Sequence, residues 1–144
     1  PFRIASFAGL VNFFTSFGYF DSPEEDVQTI GEMRRVLRPG APVLFDYLNV
    51  RRELERLVER EEREVEGEQL VIERWFDAAS STFNKRITIG GRRFIERVRG
   101  YDVDEMTRLF ADAGFAIRDV YGDFSGAPFS DGSPRLILAG TRQA

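Results

Sequence analysis

The chain has 144 residues, 42% of them hydrophobic, a length suited to one domain and an apolar share sufficient to bury a core. A formal net charge of -4 and a pI near 5.0 give no overall basic footprint, so nucleic acid is not favoured as a partner. With no Cys and no His, the chain has no disulfide framework, thiolate zinc site, histidine base or histidine metal ligand, and no metal site is expected.

No apolar run approaches the ~20 residues that span a bilayer, so no membrane association and a cytoplasmic location are expected. The opening Pro1, Phe2, Arg3, Ile4 has neither an initiator Met nor the layout of a secretory signal. The expectation is that the chain was cut from something longer. Five of the 14 Phe fall within positions 2 to 17, so that end is expected to be buried.

Residues 7–14, bounded by Phe7 and Phe14, form an almost continuous apolar run, the pattern of a strand covered on both faces in a parallel sheet. Ser22, Pro23 and Glu25 then supply an N-cap, a first-turn proline and the glutamate of a capping box. Val27, Ile30, Met33 and Leu37 recur at helical spacing, and Arg38, Pro39 and Gly40 end the helix. A second strand is predicted over 42–48. The charged stretch 51–64, with Leu54, Leu57 and Val58 as its apolar stripe, reads as a solvated helix.

After Gly67 the periodicity becomes that of strands. Leu70, Ile72 and Phe76 alternate with Trp75 opposite, Phe83, Ile87 and Ile89 follow, and Gly90-Gly91 reads as a two-residue hairpin turn. Three antiparallel strands are expected, as an insertion over 63–100 within one domain. Asp102 and Glu105 cap a further helix that stops at Gly114, and the last two strands are predicted over 115–121 and 134–140.

The string from Asn12 to Phe20 (NFFTSFGYF), its capped helix and the stop Arg35-Val-Leu-Arg-Pro-Gly40 resemble the class I S-adenosylmethionine-dependent methyltransferases. More loosely, so do the segment from Arg99 to Met106 and Ala113-Gly-Phe115. The resemblance implies an α/β fold: the last four strands of a Rossmann-like sheet, the final one antiparallel, with the antiparallel hairpins as a lid. Only eleven residues precede Asn12, so the family's glycine-rich cofactor loop and ribose-holding acid are expected outside the chain, in about three strand and helix units of roughly 30 residues each. The 144 residues are expected to be the carboxy-terminal part of such a domain, inactive without its amino-terminal part.

Ligands of open α/β sheets sit beyond the carboxyl ends of the strands. By resemblance, Asn12, Phe13 and Thr15 are placed near S-adenosylmethionine, and Phe17, Gly18 and Tyr19 near a small-molecule acceptor. At the end of the second strand, Asp46, Tyr47 and Asn49 are candidates to orient that acceptor, with Tyr19 and Asp46 as the catalytic candidates. Asp46 would take a proton if burial raised its pKa; a hydrogen-bonded Asp46 and an Asn49 helix cap remain the alternative. Trp75, Arg97, Arg99 and Tyr101 are expected to overhang the site. Lys85, Arg86, Arg92, Arg93, Arg97 and Arg99 form a locally basic run, readable as a solvated ribbon against the acidic segment 59–68 or as a contact for an anionic substrate.

Tyr19, Tyr47, Asn49 and Tyr101 are therefore predicted to share one concavity. The alternative function is a non-catalytic, self-associating or binding α/β domain that has lost its cofactor site. The strand over 7–14 lacks its neighbour on one side, so a homodimer burying Phe2, Phe7, Leu10 and Phe13, or a missing segment, is expected to cover that edge.

Overall fold

A computed structural model describes residues 2–144, leaving Pro1 outside. Its first sheet has the order β1 (Leu10–Asn12), β2 (Pro42–Tyr47), β8 (Leu136–Arg142), β7 (Phe115–Tyr121). β1 runs parallel to β2, whereas β8 is antiparallel to both β2 and β7. Three strands point one way with the reversed β8 between them, so one neighbouring pair of the three is parallel. The expectation of a predominantly parallel sheet is corrected at the level of pairing, while the antiparallel last strand is as expected.

Two helices close one face of this sheet. α1 (Pro23–Val36) starts at Ser22, whose hydroxyl accepts from the Glu25 amide while the Glu25 carboxylate accepts from the Ser22 amide. α3 (Val103–Asp112) repeats the device with Asp102 and Glu105. Ile30 and Leu37 from the α1 region and Met106 and Phe110 from α3 join Val43, Phe45, Tyr47, Leu136 and Leu138 in one buried cluster. Successive strand residues point to opposite faces, so Val43, Phe45 and Tyr47 enter this cluster while Leu44 faces the other way. Along β8, Gly140 sits beside a bulge in β7 at Ile117 and Asp119. A Cβ there would collide with the Ala116 carbonyl oxygen, which is why a side chain is missing at that position.

The second sheet consists of β3 (Arg60–Val65), β4 (Glu68–Asp77), β5 (Thr82–Ile89) and β6 (Arg92–Arg99), each antiparallel to the next. The Gly90-Gly91 turn predicted from sequence joins β5 to β6, with φ of +52° and +72° at the two glycines. This sheet has four strands rather than the expected three. The extra one comes from the predicted charged helix: α2 (Val50–Glu55) stops at Glu55, and Arg60–Val65 pairs with β4 from Arg60 opposite Glu73 to Val65 opposite Glu68. With charges on both faces of β3, no hydrophobic period marked it as a strand, and the pairing of Arg60 with Glu62 and Glu73 and of Arg74 with Glu61 takes that place.

The amino-terminal expectation also changes. β1 covers only Leu10–Asn12, and Phe7 contributes an isolated bridge to Leu37. The chain leaves the strand because Phe14 and Thr15 adopt left-handed backbone conformations, φ +59° and +56°. Phe2, Phe7, Phe13 and Phe14 are not buried; Phe14 is 79% exposed and Phe2 60%. The backbone of Phe2 and Phe7 is tied to the end of α1, where Arg35 donates to the Phe2 carbonyl and the Phe7 amide donates to the Val36 carbonyl, while α1 and α3 turn their apolar sides to the sheet cluster. No described helix is long and apolar enough to cross a membrane.

Candidate active-site cleft

The segment after β1 is fixed by a buried ion pair. Asp46, at the end of β2 and fully buried, accepts from the Phe14 amide at 2.6 Å with one oxygen and from Arg135 Nε at 2.6 Å with the other. Arg135 also donates to the Thr15 hydroxyl at 2.8 Å. Asn12 donates to the Asp46 carbonyl, and its side-chain oxygen accepts from Ser16 at 2.8 Å. These bonds hold two non-glycine residues in the left-handed region, a conformation that costs about 1–3 kcal/mol per residue unless the surroundings enforce it. The polar atoms of Asn12 and Thr15 are spent on the loop itself. What this loop offers a ligand is the exposed rings of Phe13 and Phe14, beside Phe124 from the loop after β7.

A second polar junction joins the two sheets. Gly18 accepts from the Arg99 amide at 2.7 Å, and its φ of +88° suits glycine. A Cβ there would lie 2.9 Å from the Tyr47 hydroxyl and 3.1 Å from the Arg99 carbonyl oxygen. Tyr47 donates to that same carbonyl, and Tyr101 donates to Asp26 Oδ2 at 2.8 Å, where Arg99 Nε approaches to 3.5 Å. Burial pushes both phenols to higher pKa, Tyr47 most strongly, and keeps them as donors at any ordinary pH.

Asp26 lies fully buried in the first turn of α1. Burial raises its pKa; the Tyr101 hydroxyl and the Arg99 charge pull the other way without overcoming it. A carboxyl with a folded pKa above its unfolded value favours the fold most when protonated. The wild-type chain is therefore expected to lose stability relative to Asp26→Asn as the pH climbs from below the ordinary 3.8 through the raised value. Urea titrations of both proteins between about pH 3 and pH 7 check this, and a pH-independent difference between them would contradict it.

Between the β1–α1 loop and the second sheet lies a cleft of about 330 Å³. Gly18, Tyr19, Phe20 and Asp21 form one wall; Trp75, Asn84, Arg97 and Arg99 form the other, with Asp77, Ser80 and Thr82 at its end. Trp75, Asn84 and Arg97 stand in one cross-strand row, and Asp77, Thr82 and Arg99 in the next. The Tyr19 hydroxyl donates to Glu96 at 3.2 Å, and its pKa is raised by burial first and by the Glu96 carboxylate second. Tyr19 therefore meets a ligand as a neutral phenol.

Neither family models nor curated proteins match the chain. Solved structures do match it. The CcbJ methyltransferase from Streptomyces caelestis superimposes with a TM-score of 0.77 at 18% identity, over 99% of this chain and 62% of that one. An S-adenosylmethionine-dependent methyltransferase from Clostridium acetobutylicum gives 0.80 at 13% identity, over 96% and 59%. CalS10, an amino pentose methyltransferase from Micromonospora echinaspora, gives 0.61 at 18%, also over 96% and 59%. The chain has the class I methyltransferase fold. It spans about three fifths of the length of these structures.

Within this methyltransferase fold the residues singled out from sequence separate into three groups. Gly18, Tyr19, Trp75 and Arg99 come together at the cleft. Asn49 and Tyr101 instead border a smaller hollow of about 190 Å³ with Asp131 and Phe129. Phe17, Asp46 and Tyr47 are buried. The predicted common concavity for Tyr19, Tyr47, Asn49 and Tyr101 is thus corrected, because two of the phenols turn inward to Arg99 and Asp26. Asn49 is buried too. It does not cap α2; its amide donates to the carbonyls of Ser130, Asp131 and Ser133 and so fastens the β7–β8 loop.

Sequence reasoning missed Asp26, Asn84 and Arg135. A signal existed for Asp26, which falls four residues before Ile30 on the apolar stripe of α1. Arg135 lies just before β8, and no local pattern ties it to Asp46, 89 residues away.

Proposed function

We propose that these residues form the acceptor-side portion of an S-adenosylmethionine-dependent methyltransferase domain, with a small-molecule acceptor held in the cleft between Tyr19 and Trp75. The observation that carries this reading is the meeting of the β1–α1 loop with the inserted sheet at the carboxyl end of the methyltransferase-fold sheet, where open α/β sheets bind ligands. One solved relative is described as a sugar N-methyltransferase and another as an amino pentose methyltransferase, which fits a polar cleft of this size.

The residues after β1 fit the cofactor as an apolar wall, through Phe13 and Phe14. Asn12 and Thr15 support that wall from behind; the remaining contacts belong to the part of the fold that the matched relatives have beyond the alignment. The cofactor, when bound, supplies a methyl group already activated on a sulfonium. The protein's task is then alignment and exclusion of water. Gly18 lets the loop approach β6, Tyr19, whose proton goes to Glu96, presents its hydroxyl oxygen as a hydrogen-bond acceptor, and Trp75 offers its partly exposed ring for apolar contact. Both oxygens of Asp46 are occupied, so Asp46 acts on the acceptor only through the loop it fixes.

Labelled methyl transfer from S-adenosylmethionine to a panel of small amines and alcohols tests the reading, with the complete reading frame and the 144-residue chain run in parallel. Trp75→Ala is expected to raise the acceptor KM about tenfold or more with little effect on unfolding, since the ring is 40% exposed. Absence of both methyl transfer and S-adenosylhomocysteine binding in the complete frame would sink the proposal.

A second reading concerns association. β1 is an edge strand, and Leu44 and Ala139 line a shallow groove on the sheet face away from α1 and α3. We propose that a second copy or a further segment covers this edge, with Phe2, Phe7, Leu10 and Phe13 at or beside it. Sedimentation of a concentrated solution decides it: a well-behaved monomer that leaves those phenylalanines accessible would rule this out.

A further inference from the structure

The charges of the second sheet are largely paired. Arg60 meets Glu62 and Glu73, Arg74 meets Glu61, Lys85 meets Glu96, Arg86 meets Glu73, and Arg92 approaches Glu68. Arg99 is taken by Asp26. Two arginines of β6, Arg93 and Arg97, have no carboxylate within ion-pair distance among the described residues. They lie four residues apart on one strand, which places them on the same face about 13 Å apart along it. That face is the one carrying Trp75 and Asn84, and Arg97 lines the cleft itself.

The cleft lining also holds the carboxylates of Asp21 and Asp77, and neither comes within ion-pair distance of Arg97. Asp77 is ionised, its pKa lowered by bonds from the Ser80 hydroxyl at 2.8 Å and the Ala79 amide at 2.9 Å, and those bonds turn its two oxygens toward its own turn rather than toward Arg97. Asp21 stands on the opposite wall, in the β1–α1 loop. An exposed arginine with five donors and no carboxylate partner, beside an indole that is 40% exposed and carries the Arg86 guanidinium over its ring at 5.7 Å, suits a planar or tetrahedral anion attached to a ring or other apolar body.

We infer that the cleft takes an acceptor bearing a phosphate or carboxylate group, bound by Arg97 with Arg93 further out along β6, while Trp75 lies against the rest of the molecule. The inference rests on reading this cleft as the acceptor site, and it adds a charge to that acceptor. Arg97 is a specificity residue in this arrangement; it does not touch the methyl group in transit.

Trp75 is the chain's one tryptophan and reports on its own pocket. The experiment titrates inorganic pyrophosphate, and separately succinate, into the 144-residue chain at constant ionic strength while following tryptophan fluorescence. A saturable change is expected, with its midpoint raised about tenfold in Arg97→Gln and unchanged in Arg38→Gln, an exposed arginine after α1. The anion that saturates at the lower concentration identifies the group as phosphate or carboxylate. No saturable change with either anion, or an unaltered midpoint in Arg97→Gln, would overturn the inference. Because neither anion is a methyl acceptor, the two readings fail separately. Pyrophosphate bound at Arg97 without any methyl transfer leaves the anion site standing, whereas methyl transfer without anion binding removes the anion site alone.

Discussion

Asp46→Ala is expected to destabilise the chain by about 3–5 kcal/mol, the usual consequence of removing one member of a buried ion pair and leaving the other uncompensated. Asp46 is fully buried and Arg135 largely so, with 2.6 Å between nitrogen and oxygen. The loss has a second component, because the Phe14 amide gives up its acceptor and the left-handed backbone at Phe14 and Thr15 loses what enforces it. Urea unfolding measures the sum. Replacing both partners by apolar residues of similar volume, Asp46→Leu with Arg135→Met, should restore a large part of the stability, since no charge is then stranded. The rebuilt protein should still bind acceptor poorly, since the loop anchor is gone. A change below about 1 kcal/mol in Asp46→Ala would mean that water reaches Arg135 and the pair does not hold the loop.

Phe45→Ala is expected to cost about 3–5 kcal/mol by a different route, the loss of buried apolar surface and the opening of a cavity. Phe45 is completely buried at the centre of the sheet, with its ring 4.8 Å from that of Phe110 and 5.2 Å from that of Phe17, both in edge-to-face contact. Strand β2 supplies the ring, α3 one neighbour and the β1–α1 loop the other, so three elements lose packing together. The matched control is Phe14→Ala. That ring is 79% exposed, and its removal should change stability by less than about 0.5 kcal/mol. Denaturant midpoints compare the two directly, and equal effects would show that the core has collapsed around the vacancy or that Phe14 is covered in solution.

The inventory of helices and most strands was legible in the sequence because each rests on short-range rules. Ser22 with Glu25 and Asp102 with Glu105 announce their helices through bonds made within one turn. Gly90-Gly91 announces its hairpin because two-residue turns that match the strand twist need positive φ at one or both central residues, which glycine adopts without strain. The reversed last strand of the first sheet came with the family resemblance carried by residues 12–40, whereas the strand order β1, β2, β8, β7 is read from the structure. Strand β3 escaped because alternating glutamate and arginine give the same charge pattern on a helix face as on a ladder; only pairing with β4 distinguishes them.

At the candidate site, the family resemblance marked Gly18 and Tyr19, while Trp75 and Arg99 were marked by residue type, as large or polar side chains on the hairpins and at their exit. What tertiary structure decided was the direction of each polar group. Tyr47, one residue beyond Asp46 and so on the opposite face of β2, turns its hydroxyl to a backbone carbonyl 52 residues away; Asp46 turns to Arg135, 89 residues away. Tyr101 reaches Asp26 across 75 residues. Composition and spacing fix which side chains stand near a strand end, but a buried donor or acceptor must find a partner wherever the fold brings one, and that choice is made by contacts distant along the chain.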